Sequence, residues 1–300
     1  MELPLEHALY PFSNNDGFQL QRSKGGTINM QDKVVLVGCG NMGFAMLRGW
    51  LDSGILKAGD VHVVEPAEAL RERAALAHVH VYADAADLPA DLQPRMVLVA
   101  VKPQMMANVL PAYKRFAPAS TFVSVAAGIP VALFESHLGK DVAVIRCMPN
   151  TPAAIGKGML VTFKNANVSD ANEAFVTSLL KTSGKVASVD EEGLMDAVTA
   201  VSGSGPAYIF HFIEALTDAG VNLGLPRETA ALLAMQTVMG AGALADASTD
   251  SPSKLREQVT SPNGTTAAAL DVLMGGDRLK ELVAEAVKAA HKRSVELGKS

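Results

Sequence analysis

A chain of 300 residues is longer than one compact core usually needs, so two domains are expected. Its net charge is −5 and it holds no basic cluster, which argues against nucleic acid, where a positive face must neutralise phosphates. The two cysteines, Cys39 and Cys147, are too few for a disulfide framework and form no metal-ligand set, which fits a reducing cytoplasm.

Residues 1–29 lack an apolar h-region and start acidic rather than basic, so they do not read as a secretory signal. Their Asn, Gly and Ser content suggests a mobile leader, with Met30 as the natural start, and they are left out of the fold.

From Lys33 to about Asp190, short β-branched runs alternate with helical stretches. The runs are Val34–Val37, Val61–Val64, Val79–Tyr82, Met96–Val101, Thr121–Val125 and Val142–Arg146. Between them lie segments such as Met42–Ser53, Glu68–Ala77 and Gln104–Phe116. Strands that are apolar throughout, rather than alternately, are what a parallel sheet covered on both faces requires. Residues 30–190 therefore read as a doubly wound α/β domain of the Rossmann type.

The first run leads directly into Gly38-Cys39-Gly40-Asn41-Met42-Gly43, a G-x-G-x-x-G turn after a strand and before a helix. Gly38 permits the tight turn, Gly40 lets backbone approach a pyrophosphate, and Gly43 packs helix on strand. The helix start then offers amide donors and partial positive charge, so the turn reads as a dinucleotide site. A Gly-rich structural turn is the plainer alternative. Glu65 ends the second run at close to the ~20-residue spacing expected of the acid that binds a ribose 2′-hydroxyl. A carboxylate there would repel the 2′-phosphate of NADPH, which favours NADH; Arg71 and Arg73 stand close enough to fold back and offset it. The alternative for Glu65 is a strand-end charge facing solvent. Cys39 reads as small filler, and His62, His78 and His80, on or beside strands, as structural.

After about Asp190 the β-branched runs stop, and residues 191–300 read as an all-helical domain. Ser202-Gly203-Ser204-Gly205 fails the G-x-S-x-G pattern at either serine and reads as a tight turn opening a helix, with Pro206 in its first turn. Ala207–Ala219 is apolar nearly all round, with His211, Glu214 and Asp218 as one polar stripe. A helix with so little solvent face is expected to be covered, in the domain or by another subunit. Thr229–Ala245 carries no charge, but it is shorter than the ~20 residues of a bilayer span and is closely flanked by Glu228 and Asp246. A covered interface helix is the expectation, with no membrane role.

Further motifs follow in a characteristic order. Ala100-Val101-Lys102-Pro103 ends the fourth strand, Ala126-Ala127-Gly128 follows the fifth, and Arg146-Cys147-Met148-Pro149-Asn150-Thr151-Pro152 lies at the sixth. Then come Ser202–Tyr208 and Thr260-Ser261-Pro262-Asn263-Gly264-Thr265-Thr266. From about Lys33 to Ser300 this order and spacing resembles the pyrroline-5-carboxylate reductases, and the last two motifs are specific to that family. The resemblance implies a Rossmann domain, a helical dimerisation domain and a homo-oligomer, a decamer built from dimers being plausible. It implies reduction of the cyclic imine 1-pyrroline-5-carboxylate to proline with NADH or NADPH, the last step of proline biosynthesis. Ala100, Val101, Lys102 and Pro103, with Ala126 and Ala127, would then lie along the cofactor. Gly264, Thr265 and Thr266 would bind the substrate carboxylate, and Glu192 would stand near the substrate. Two departures stand out. The family usually has Gly-Gly where this chain has Asn263-Gly264, and Asn is the residue after Gly best able to hold a left-handed conformation. Many relatives have a small hydroxyl residue in place of Glu65.

The chemistry asks for a hydride held close to the imine carbon and a protonated or polarised nitrogen. An iminium is already electrophilic, so positioning supplies much of the catalysis. Gly264, Thr265 and Thr266 precede the apolar run Ala267–Leu270, and amides at such a helix start are an anion site. The Thr266 hydroxyl can also reach the imine nitrogen, which makes it the candidate catalytic group. Read without the resemblance, the two threonines would simply cap a helix. Two other functions remain in view: another imine, keto or hydroxyacid oxidoreductase of this architecture, with Lys254 or Lys280 as a catalytic lysine, and a non-catalytic dinucleotide sensor.

Overall fold

Eight strands form one sheet in the order β3-β2-β1-β4-β5-β6-β7-β8. They are β1 (Val34–Val37), β2 (Val61–Val64), β3 (His80–Tyr82), β4 (Met96–Val99), β5 (Thr121–Ser124), β6 (Ala143–Met148), β7 (Gly158–Lys164) and β8 (Gly184–Ser188). The computed structural model describes residues 32–298, so the expected leader at 1–29 lies outside the described residues. β1 to β6 run parallel, as their unbroken apolar runs predict, and every residue of β1, β2, β4 and β5 is buried. β7 and β8 extend the sheet beyond the expected runs. β7 pairs antiparallel with β6 and β8 pairs parallel with β7.

Helices cover both faces. On one, α1 (Asn41–Asp52) sets Met46, Leu47 and Trp50 against the strands, beside Leu179 and Leu180 of a later helix. On the other, Tyr113, Phe116, Phe134 and Leu138 surround Phe122 of β5. The segment Gln104–Phe116 is not one helix as its composition suggests. It breaks into a 3-10 turn, the short α3 (Met106–Val109) and a second 3-10 stretch, Leu110–Phe116. Pro111, at the junction, lacks the amide an α-helix would use. The half is completed by α2 (Glu68–Ala75), α4 (Val131–Leu138) and α5 (Asp170–Leu180).

Past β8 the regular elements among the described residues are all helical: α6 (Leu194–Val198), α7 (Gly205–Asn222), α8 (Arg227–Ala247), α9 (Pro252–Gln258), α10 (Thr265–Met274) and α11 (Arg278–Leu297). The Ser202–Gly205 segment corrects the expected tight turn. Thr199–Gly203 is a π-helical turn joining α6 to α7, and the Ser204 amide donates to Thr199 O at 2.8 Å. Its widened ring is supported from outside: Asn150 Nδ2 donates to Ser202 O, and Met148 fills the space where a Gly203 side chain would stand. Pro206 does lie in the first turn of α7.

α7 and α8 pack on each other, with Gly220 against Ala230. Their outer faces leave Phe210, Phe212, Leu232, Leu233, Met235 and Met239 exposed within one chain. α8 is the helix among the described residues long and apolar enough to cross a membrane by length and composition. Its far end is tied to the sheet instead, through the Asp246–Lys185 ion pair to β8.

The histidines form part of the sheet. His62 is 4% exposed, stacks on His80 at 4.7 Å and shares a 3.0 Å hydrogen bond between Nδ1 and the Tyr82 hydroxyl. Burial, reinforced by His80, pushes the His62 pKa down to about 4. The unfolded chain, near 6.5, therefore takes up the proton first, and stability is full above pH 6.5 and falls as pH drops toward 4. Urea unfolding should show a loss of about 2–3 kcal/mol across that window, and His62→Phe should flatten the slope between pH 4.5 and 6.5.

Candidate active site

β1 and β4 are neighbours in the sheet although β2 and β3 lie between them in sequence, so the strand order reverses there, and crevices at such a point bind ligands. The glycine turn sits at that carboxyl edge. Gly38 takes φ +86°, and its amide donates to Val64 O at 2.8 Å. A Cβ on Gly43 would stand 2.3 Å from Gly38 O, so only glycine lets α1 approach the strand this closely. Gly40 has open space around its missing Cβ and is the N-cap of α1 with no side-chain hydrogen bond. The helix start thus faces outward without a cap, as an anion cradle requires. Beside it lies a cleft of about 210 Å³ lined by Gly38, Val64, Pro66, Val101, Met105 and Tyr113 among others.

Glu65 does not face solvent. It is 6% exposed, and its Oε2 accepts from the Cys39 amide at 2.7 Å while Oε1 accepts from the Ala67 amide at 2.9 Å. The carboxylate therefore braces the glycine turn from beneath. Arg71 and Arg73 fold back as their spacing allows, but onto backbone carbonyls. Arg71 Nη1 donates to Glu65 O and Pro66 O, and Arg73 Nη2 donates to Cys39 O at 2.7 Å with its guanidinium over the Phe44 ring. Cys39 is fully buried, and burial pushes its thiol up to about 11 against the opposing pull of Arg73. It stays protonated at neutral pH and has no thiolate character.

The other cofactor-side segments converge on the same edge. Ala100 N donates to Val37 O at 2.7 Å, and Val101 lines the cleft. Lys102 is exposed and precedes the 3-10 turn that Pro103 opens. Ala126 and Ala127 leave β5 half-buried.

The residues expected on the substrate side lie elsewhere. Gly264 is the N-cap of α10, again without a side-chain cap, and Asn263 before it holds φ +58°, the left-handed conformation the sequence anticipates. Neither threonine hydroxyl caps the helix, and Thr266 is half-buried. No hydrogen bond or ion pair among the described residues of one chain joins this turn to the glycine turn. Glu192, just before α6, has Oε1 occupied twice, by Arg146 Nη1 at 2.8 Å and by the Val131 amide at 2.8 Å. Arg146 was not among the site residues read from the sequence; an arginine inside an otherwise apolar buried strand was the available signal. Lys254 and Lys280 are exposed and pair with Glu257 and Asp277 at 3.5 Å and 3.8 Å.

Two family profiles match the chain. One, described as pyrroline-5-carboxylate reductase dimerisation, covers residues 192–297, and one described as NADP oxidoreductase, coenzyme F420-dependent, covers residues 33–128. Pyrroline-5-carboxylate reductase of Pseudomonas aeruginosa is 42% identical over 270 residues, 88% of this chain and 96% of that protein. The Escherichia coli enzyme of the same name is 36% identical over 90% of this chain and 100% of its own length. Among solved structures, a pyrroline-5-carboxylate reductase from Coxiella burnetii superimposes with TM-score 0.84 at 34% identity, covering 90% of this chain and all of that one. A Plasmodium falciparum pyrroline carboxylate reductase with NADP bound gives TM-score 0.77 at 29% identity, covering 89% and 98%.

The Gly43 contact sets a direct test of the cradle. Gly43→Ala should raise the dinucleotide Kd by about 10-fold or more, or roughly 1.4 kcal/mol, because α1 must move off Gly38. Fluorescence titration with NAD(P)H checks this, with circular dichroism confirming the fold.

Proposed function

The chain belongs to the pyrroline-5-carboxylate reductase family, an NAD(P)-dependent oxidoreductase acting on a C=N bond, and from that premise we propose how its residues divide the reaction. The observation that carries the reading is a pair of uncapped helix starts, each opened by a glycine: Gly40 at α1 and Gly264 at α10. Each turns backbone amides and a positive helix end toward solvent, one suited to a pyrophosphate and the other to a carboxylate.

In this reading Gly38, Cys39, Gly40, Asn41, Met42 and Gly43 hold the dinucleotide phosphates by backbone. Ala100–Pro103 and Ala126–Ala127 flank the nicotinamide half, with Lys102 reaching the ribose. The bound dinucleotide supplies a hydride to the imine carbon. Gly264 and Thr265 anchor the substrate carboxylate by their amides, and the Thr266 hydroxyl holds the imine nitrogen by a hydrogen bond, the proton that this nitrogen carries in the product coming from water. Glu192 stands at the substrate's edge, its charge already shared with Arg146. The dimerisation region belongs to the helical half, and the exposed apolar faces of α7 and α8 support a homodimer at least, with a decamer built from five dimers as the larger assembly. A cytoplasmic location is supported by the two cysteines, both free and buried.

For the cofactor we propose a preference for NADH. Glu65 stands at the end of β2, and both nearby arginines are committed to backbone carbonyls. At ~4 Å and an effective dielectric of about 20, each pair of unit charges there repels by about 4 kcal/mol before screening. The check is kcat/KM for the two cofactors at one salt concentration, in the parent and in Glu65→Ser. The parent should favour NADH and the variant should shift toward NADPH; a parent that favours NADPH, or an unchanged ratio, rejects Glu65 as the ribose reader.

The substrate assignment is tested by following NAD(P)H oxidation with pyrroline-5-carboxylate against ketoacids, the cyclic imine alone giving turnover. Thr266→Val should keep fold and cofactor affinity while lowering kcat/KM by ~10-fold or more, the worth of about 1.4 kcal/mol. Unchanged kinetics would remove Thr266 from the site.

A further inference from the structure

We infer that the carboxyl end of α11 and the Glu192–Arg146 pair clamp the turn that follows β5, and so position the nicotinamide for hydride transfer. The inference rests on the reading that Ala126 and Ala127 flank the cofactor, and it concerns residues that do not touch it.

The turn is gripped at two points. At the first, Gly128, with φ +75°, meets Gly298 backbone to backbone. A Cβ on Gly128 would stand 3.2 Å from the Gly298 nitrogen, and a Cβ on Gly298 would stand 2.8 Å from Gly128 O. Neither position tolerates a side chain without displacement of the other. At the second, the Val131 amide at the end of the turn donates to Glu192 Oε1, whose other partner is the buried Arg146 of β6. The two grips are coupled. Ser294 of α11, 4% exposed, donates to Asp196 Oδ1 of α6 at 2.6 Å, so the helix end that meets Gly128 and the segment that carries Glu192 are fixed to each other. Beside this contact the turn borders a hollow of about 570 Å³ lined by Pro103, Gln104, Ile129, Pro130, Leu297 and Gly298. Ile129 and Val131 are buried in the core, and the two grips add to that anchorage on either side of them.

The consequence is a division of labour within the dinucleotide. Its phosphates are assigned to the glycine turn, which neither grip touches, so affinity should survive loss of the clamp. Hydride transfer is far more sensitive, since a displacement of about 1 Å at the reacting atoms costs on the order of 100-fold in rate. Arg146, Gly128 and Gly298 are on this account positioning residues.

The experiment uses the full-length oligomer and compares Gly298→Ala, Arg146→Met and Arg146→Lys with the parent. NAD(P)H Kd is measured by fluorescence, and kcat with protio and 4-deuterio cofactor. Gly298→Ala and Arg146→Met should leave Kd within about twofold, lower kcat about 10-fold and enlarge the deuterium isotope effect on kcat, as hydride transfer becomes the slow step. Arg146→Lys should recover part of the loss. Folded variants with parental kcat and isotope effect overturn the clamp, as does a rise in Kd that alone accounts for the lost activity. If Arg146→Met fails to fold, Gly298→Ala, at an exposed position, decides. Ala127→Val, on the cofactor side of the same turn, separates the two levels. If it disturbs NAD(P)H turnover while Gly298→Ala does not, the clamp fails and the cofactor reading stands; if it is silent, the cofactor reading falls and the clamp with it.

Discussion

α1 lies against β1 only because Gly43 and the carbonyl of Gly38 meet with no side chain between them. That approach seats Met46, Leu47 and Trp50 in the core beneath the sheet, so the stability of the half and the shape of its ligand edge share one contact. The same approach leaves the amides at the helix start uncapped and directed outward. Glu65 then fixes the turn in place by accepting from Cys39, and Ala100 closes on the other side by donating to Val37 O. A larger residue at Gly43 would disturb the core and the shape of the turn together.

The two halves of the chain solve burial differently. The sheet half covers its apolar strands with its own helices, and β1, β2, β4 and β5 reach full burial without help. The helical half does not. α8 buries only Ala230 and Ala234 within the chain, and its large side chains point away from it. A helix pair this apolar is stable in water when a second surface covers it, and the dimerisation region to which it belongs supplies the reason for the pattern. The Gly264 turn also sits in this half, within the region matched by the dimerisation profile.

Much of this was legible in the sequence, and the parts that were not share a cause. Runs such as Val34–Val37 and Met96–Val99 announce buried parallel strands because both faces must be apolar. β7 and β8 do not, since Gly158–Lys164 and Gly184–Ser188 lie toward the sheet margin, are partly exposed and open on glycine. Ser202–Gly205 has the composition of a turn, and only Asn150 and Met148, far away in sequence, make a π-helical ring the better solution. The left-handed Asn263 was readable because that preference is local. The spacing of Glu65 was readable too, but its partners were not: that its carboxylate would be spent on Cys39 and Ala67, and the arginines on carbonyls, depends on how the loop folds back. Arg146 escaped for the same reason, because its meaning lies in an acid some distance along the chain.

A chain of net charge −5 that must admit an anionic dinucleotide and an anionic substrate faces an electrostatic problem. Long cationic side chains would solve it at an entropic cost, since ordering a lysine or arginine costs up to about 2 kcal/mol. Here the attraction is assigned to backbone amides at two helix starts, already ordered by the fold. The acids nearby are accounted for by the same means: Glu65 accepts two amides, and Glu192 accepts one amide and a buried guanidinium. Preorganised dipoles of this kind need not reorganise when charge moves, so under the proposed assignment a site with few cationic side chains would suffice for anions.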